Sequence, residues 1–292
     1  VAPKMALSDH EEPMPVEIVG MLGHRESTLT WKSPKTFDAD YVLTLARTLE
    51  HAGYDRALVA QSSFWPDSMP LASFVAGATT TLKFMIAHRP GFVAPTMAAR
   101  QFATLDKLTN GRAGIHIISA GNDAETQCDG DFLTKEERYR RSGEFVQILR
   151  AIWASETPVD HDGAYYRFIK GLSELHPAPG AIPIHWGGTS EVSLEMAAQW
   201  ADIYVFSLTS LAETRKVVGD MRARASKHGR TLRFQGVTRM VLGPTEEMAW
   251  RNAREIADIL RDQAEERRRK TGTAEDLSKA GGRAESALST KG

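Results

Sequence analysis

One cysteine, Cys128, is the whole thiol content of this 292-residue chain. That excludes an intrachain disulfide framework and a cysteine-built metal site, and it fits a reducing, cytoplasmic setting. Net charge is scarce too, because 36 basic and 37 acidic residues nearly cancel, leaving a formal charge of -1. No polybasic surface argues for nucleic acid or membrane, so small molecules are the expected partners. Long apolar runs are missing, none reaching the ~18 residues of a membrane-spanning helix. Residues 1–15 are polar, and Lys4 has no apolar core behind it, so they read as a disordered or partner-clasping tail and not as a signal peptide. What is present is 42% hydrophobic content over a length that suits one large core, hence a single domain over 1–292.

The chain is organised around residues 83–118. A short apolar run ends at His88-Arg89, where Pro90 cannot continue a ladder. A helix of about 15 residues then starts at Pro95, which suits a first-turn position, and stops at Asn110-Gly111. Met97, Phe102, Leu105 and Leu108 recur at helical spacing, and a second apolar run follows over 113–118. This is a β-α-β crossover with two parallel strands side by side. In a barrel built from such units the chemistry sits at the strand C-termini, so His88, Arg89 and the 119–122 turn are expected to share one mouth.

The rest of the chain continues the alternation. Residues 16–22 form a candidate first strand ending at Gly23-His24-Arg25, where His24 is as readily a plain surface loop residue as a functional one. Residues 37–52 make a helix stopped by Gly53, and 56–60 a second strand followed by the polar loop 61–67. Glu136 to Tyr139 open a further helix running to Trp153, and prolines make 156–181 an insertion with a small hairpin. Residues 182–186 read as a buried strand leading through Gly187, Gly188, Thr189 and Ser190 into a helix over 191–200. Two glycines that let backbone approach an anion, two hydroxyls and a helix N-terminus are the parts of a phosphate site, although a plain capping turn looks the same. Strands over 203–207 and 234–242 and helices over 211–228 and 246–269 complete the count. Only seven barrel strands are evident. Residues 262–292 are expected to form a mobile or lid-like segment.

The tracts His88-Arg89-Pro90, 95–101 and 106–112 closely resemble the reduced-flavin-dependent alkanesulfonate monooxygenases of the bacterial luciferase-like superfamily. Several blocks match in order, over roughly residues 15–255. The resemblance implies a TIM-like (β/α)8 barrel with insertions, whose eighth strand is not evident here. It implies FMN, used as FMNH2 with O2, a separate NAD(P)H-dependent flavin reductase, and a homo-oligomer, dimer or tetramer. The implied reaction removes sulfite from an organosulfonate and leaves an aldehyde. Cofactor contacts are expected from His88, Ser119, Asn122, Tyr139, Gly187, Gly188, Thr189 and Ser190. His24, Arg89 and Arg239 are the expected catalytic groups, with both arginines facing an anionic site and replaceable without loss of fold.

Two departures from that pattern shape the expected substrate. Trp65 occupies the position where these enzymes commonly carry a cysteine, and Val237 and Arg239 stand where they carry arginine and histidine. An indole beside Gln61 and Asp67 offers an apolar plate ringed by hydrogen-bonding groups, although Trp65 could equally pack beneath its loop. A hydroxylated sulfonate such as sulfoquinovose is therefore expected over a simple alkanesulfonate. A deazaflavin-dependent oxidoreductase and a non-catalytic flavin-binding protein are the rival readings.

Overall fold

The computed structural model describes residues 16–28, 30–119, 122–178 and 180–271. Strands and helices alternate as β1 (Val19–Leu22), α1 (Ala39–His51), β2 (Arg56–Val59), α2 (Ser68–Ala76), β3 (Lys83–His88), α3 (Pro95–Leu108) and β4 (Ile115–Ile117). A short α4 (Asp123–Gln127) and the long α5 (Lys135–Ala154) follow, then the hairpin β5 (Val159–Asp162) and β6 (Arg167–Gly171). The second half runs β7 (Ile184–Gly187), α6 (Glu191–Trp200), β8 (Ile203–Ser207), α7 (Leu211–Lys227), β9 (Arg233–Val237) and α8 (Glu246–Thr271).

Seven strands pair in parallel in the order β1-β2-β3-β4-β7-β8-β9, the curled sheet of a TIM-like barrel. Alternation along each strand separates two faces. Phe84 and Ile86, Ile115 and Ile117, and Ile184 and Trp186 join the buried core shared with Val42, Phe102, Phe145 and Ala197 of the helices. Each such large side chain contributes about 1.5–3 kcal/mol by leaving water. The intervening residues face the sheet's concave side. Among the described residues there is no eighth strand between β1 and β9, and at these edges Met21 is 55% and Val237 48% exposed. The last strand is shorter than its apolar pattern predicts, ending at Val237 instead of residue 242. Among the described residues it has a partner only in β8, and Gly243-Pro244 follow closely.

Polar side chains close the ends of the units. Helix α3 stops where Asn110 and Gly111 both turn left-handed, with φ of 55° and 85°. Buried Arg112 just beyond donates to the carbonyls of Ala76, Leu82 and Thr109 and to Thr79 Oγ1, tying α2 and α3 to the start of β3. Glu50 of α1 accepts from the backbone N–H groups of Thr80, Thr81 and Leu82. Burial pushes this carboxyl up, but those three donors outweigh it and hold it at about 2. The expected hairpin within 156–181 is present, and Glu144 of α5 fastens it through His161 Nε2 and the N–H groups of Tyr165 and Tyr166. The expected tail over 1–15 lies outside the described residues. Of the expected lid, residues 262–271 continue α8, and 272–292 lie outside them.

Candidate active site

Helix α5 starts with a full capping box, Thr134 and Glu137 each satisfying the other's backbone N–H. This fixed start aims two buried arginines at the mouth. Arg138 donates through Nε to the Ser119 carbonyl at 2.8 Å and through Nη2 to Asp123 at 2.7 Å. Arg141 pairs with Asp131 and donates to the Pro90 carbonyl at 2.7 Å. The turn after β4 and the loop after β3 thus hang from one helix. Ser119 is buried, with its hydroxyl 3.0 Å from that of Ser142. Asn122 is exposed and uses its side chain to cap α4. Ala120 and Gly121 lie outside the described residues.

The turn from β7 into α6 has the geometry its sequence predicts. Ser190 caps α6 by accepting from the Ser193 N–H, leaving Gly187, Gly188 and Thr189 as backbone at the helix start. Gly188 has φ of +130°, and a Cβ added there would collide with Ser193 Oγ and stand 2.7 Å from the Tyr139 hydroxyl. The Gly188 carbonyl accepts from the Tyr204 hydroxyl at 2.9 Å. Tyr139 is 8% exposed and stacks on Trp186, so it is anchored in the core while its hydroxyl reaches the glycine turn. The family resemblance put Tyr139 with Gly187, Gly188, Thr189 and Ser190, and the fold brings the Tyr139 hydroxyl beside Gly188.

The loops after β1, β2 and β3 meet at another part of the rim. His24 and Trp65 touch, ring centroids 5.6 Å apart, and Trp65 remains 44% exposed. Partial burial, then the charges of Arg25 and Lys32, pushes the His24 imidazole below its ordinary value, favouring the neutral ring. Gln61 Oε1 accepts from Ser68. Asp67 is committed to capping α2, accepting from the Met69 N–H at 2.9 Å, so its sequence pattern marks a helix start before it marks a substrate contact.

Arg89 differs from a bare anion receptor. Only 3% exposed, it places Nη2 2.8 Å from Glu125 and Nη1 3.5 Å from Asp129 and 2.7 Å from Ser63 Oγ. Glu125 also accepts from the Ser63 N–H, so this arginine knits three loops together. It is not replaceable without structural cost. His88 leaves the mouth altogether, because alternation along β3 turns it to the helix side, stacked on Phe145 at 5.1 Å and edge-on to Phe102. Arg239 lies two residues past β9 and is exposed, so the strand alternation that was expected to turn it inward does not extend to it.

Sequence reading passed over two histidines on the concave face. His116 of β4 and His185 of β7 are register partners, and His185 Nδ1 lies 2.9 Å from Gln235 Oε1 of β9. Burial lowers His116 to about 4 and, with nearby Arg56 and His116 adding to it, His185 to about 2. The signal was present as a single polar residue within Ile115-His116-Ile117 and Ile184-His185-Trp186.

The sequence matches the family model described as "Luciferase-like monooxygenase" over residues 17–291. Among solved structures, EDTA monooxygenase (EmoA) from Chelativorans sp. BNC1 is 20% identical, with a TM-score of 0.73 over 83% of this chain and 68% of that one. The long-chain alkane monooxygenase LadA is 20% identical, with a TM-score of 0.74 over 90% and 73%. Riboflavin lyase (RcaE), solved with modified FMN and riboflavin, is 20% identical, with a TM-score of 0.72 over 83% and 66%. The chain therefore spans about two thirds to three quarters of the length of these proteins. At such identity the likeness is one of fold.

Proposed function

The chain belongs to the luciferase-like monooxygenase family, a family of flavin-dependent monooxygenases, and from that premise we propose that it desulfonates an organosulfonate using FMNH2 and O2. The preferred substrate in this reading is a hydroxylated sulfonate such as sulfoquinovose. Sulfite and an aldehyde are the products, one oxygen atom of O2 ending in the aldehyde and the other in water. A separate NAD(P)H-dependent reductase supplies the reduced flavin, and the protein works as a homo-oligomer.

The observation that carries the cofactor reading is the close approach at Gly188, whose backbone lies against the Ser193 and Tyr139 hydroxyls where any Cβ would collide. Backbone N–H groups at the start of α6, the Ser190 and Thr189 hydroxyls and the Tyr139 hydroxyl form a donor set suited to a phosphate. FMN would be held there by its phosphate, and when bound it supplies the electrons and the activation of O2. The protein's own residues orient it, keep water out and hold the substrate. Ser119 and Asn122 flank the turn that would lie against the ring. The His24–Trp65 pair gives the substrate an apolar plate with a neutral imidazole at its edge. A sulfonate could reach Arg89 by displacing Asp129, the more distant of its two carboxylates.

Sulfite release from a panel of sulfonates, with reduced flavin and O2, tests the reaction. Sulfoquinovose is expected to exceed octanesulfonate in kcat/KM by at least tenfold, and Trp65→Ala to narrow the gap. A higher kcat/KM for octanesulfonate would make this a simple alkanesulfonate monooxygenase, and no sulfite from any sulfonate would end the reading. The cofactor site is tested separately. FMN is expected to bind at least tenfold more tightly than riboflavin, since charge-assisted hydrogen bonds contribute about 1.5–3 kcal/mol each. Gly188→Val should remove the difference, and equal affinity of the unaltered protein for both flavins would remove the phosphate site.

A further inference from the structure

The helices packed around the sheet part between α2 and α3. Helix α3 packs on α5, α5 on α6 and α6 on α7, whereas α2 and α3 leave between them an open groove of about 440 Å3. Its walls are largely apolar, with Met69 of α2 across from Met97, Leu105 and Leu108 of α3. Charged residues make up 25% of the chain, yet the nine residues of α2 include none, although Phe74 stands about half-exposed on it. On α3, Ala98, Ala99 and Phe102 are buried, while Met97, Thr104 and Leu108 recur every three or four residues on the outer side, Leu108 at 77% exposure. A contiguous apolar patch of this kind marks an interaction surface.

The occupant follows from what the face offers. Phe74 and Leu108 protrude beside the groove, so the face carries both the projections and the recess, and a two-fold rotation sets each against its complement. A second copy therefore fits it. Arg100, the cation that lines the groove, donates at 3.5 Å to the Met97 sulfur, and Gln101 and Thr104 beside it supply the acceptors that a rotated copy would present to it. No carboxylate is needed from the partner. Helix α3 is about 21 Å long, and two helices side by side are about 20 Å wide. Ridged by side chains, such a face is on the scale of the ~800 Å2 that each partner buries in a stable dimer.

Both helices begin at the rim of the candidate site. The Ser68 hydroxyl, at the start of α2, lies 2.6 Å from the Ala87 carbonyl and 3.1 Å from Gln61 Oε1 of the loop that carries Trp65. Helix α3 follows the loop in which Phe92 lies under the Arg89 guanidinium, 5.7 Å from its ring centroid. We infer that two copies of the chain associate through the α2–α3 face, and that this contact braces the rim loops 61–67 and 89–94. The inference deepens the homo-oligomer of the proposed function by naming its surface and its effect on the site.

The test uses the full chain with Phe74→Glu, Leu108→Glu and, as a control, Ile169→Glu, an apolar residue 78% exposed on the hairpin. Sedimentation at micromolar concentration is expected to show a dimer for the parent and for Ile169→Glu. Each of the other two variants should raise the dissociation constant about a hundredfold, as burying an unpaired charge would. The two substitutions stand on different helices, so one decides if the other fails to fold. In the monomeric variants hydrogen exchange over 61–67 and 89–94 should quicken about tenfold. FMN affinity should hold, because the phosphate turn lies at α6. A monomeric parent gives the face to another partner and overturns the inference, as does a dimer that neither variant weakens. Monomers whose rim loops exchange at the parent's rate overturn the bracing. None of these readings requires a sulfonate to be turned over, so this inference and the proposed reaction fail separately.

Discussion

Arg89→Ala is expected to lower the stability of the folded protein by about 2–3 kcal/mol, and not only its turnover. Removing one partner of a buried ion pair leaves the other charge uncompensated, a loss of 3–5 kcal/mol when both are fully buried. Here the stranded carboxylates keep some access to water, Glu125 being 24% and Asp129 37% exposed, so the lower figure applies. The Ser63 hydroxyl loses a donor as well. For a chain of this size the loss corresponds to roughly 3–5 °C in melting temperature. Asp129→Asn, touching only the 3.5 Å contact, should cost under about 1 kcal/mol. Thermal unfolding of the two variants decides the role of Arg89. An Arg89→Ala protein as stable as its parent would mean that Glu125 and Asp129 do not depend on it, and would restore Arg89 as a plain anion receptor.

That residue also shows where sequence reading stops. The crossover over 83–118 was readable because Pro95, Asn110-Gly111 and a helical apolar stripe are local signals, and the strands flanking it are continuous apolar runs. The glycine turn at 187–190 was readable for the same reason: cap, glycines and helix lie adjacent in the chain. Arg89 pairs with partners 36 and 40 positions away, and no periodicity announces such a pairing. His88 was misplaced by one step of alternation. Neighbours on a strand point to opposite faces, so His88 and Arg89 could never share one mouth, and the aromatic rings of Phe102 and Phe145 that receive His88 come from two different helices. Helix α2 went unread because its apolar residues lie all around it, Phe74 on the exposed face included, so no helical stripe stands out, and its cap, Asp67, was taken for a ligand.

Stability is expected to fall as pH drops from 6.5 towards 5, well above the range in which carboxylates titrate. Three imidazoles set this, His88 and His185 buried and His116 partly so. Burial alone holds His88 at about 4, burial is the main cause for His116 at about 4, and His185 sits at about 2. In the unfolded chain each would titrate near 6.5. Between these values the unfolded state binds more protons than the folded one, so stability decreases as pH falls. Each imidazole removes about 1.4 kcal/mol per pH unit once pH is below 6.5. At pH 5 the three together take away roughly 4–6 kcal/mol, a large part of the ~5–15 kcal/mol that holds a typical domain together. Glu50 acts in the opposite sense and later. Its folded value of about 2 lies below its ordinary 4.5, so its contribution is complete above pH 4.5 and is lost only between 4.5 and 2. Screened by solvent, that contribution is about 1–2 kcal/mol. The histidines therefore dominate the approach to acid. Urea midpoints measured from pH 7.5 to pH 5 should fall steeply, and His88→Leu, which removes one titrating ring from between two phenylalanines, should reduce the slope by about one proton. A midpoint that stays level down to pH 5 would mean that these imidazoles gain protons in the folded state.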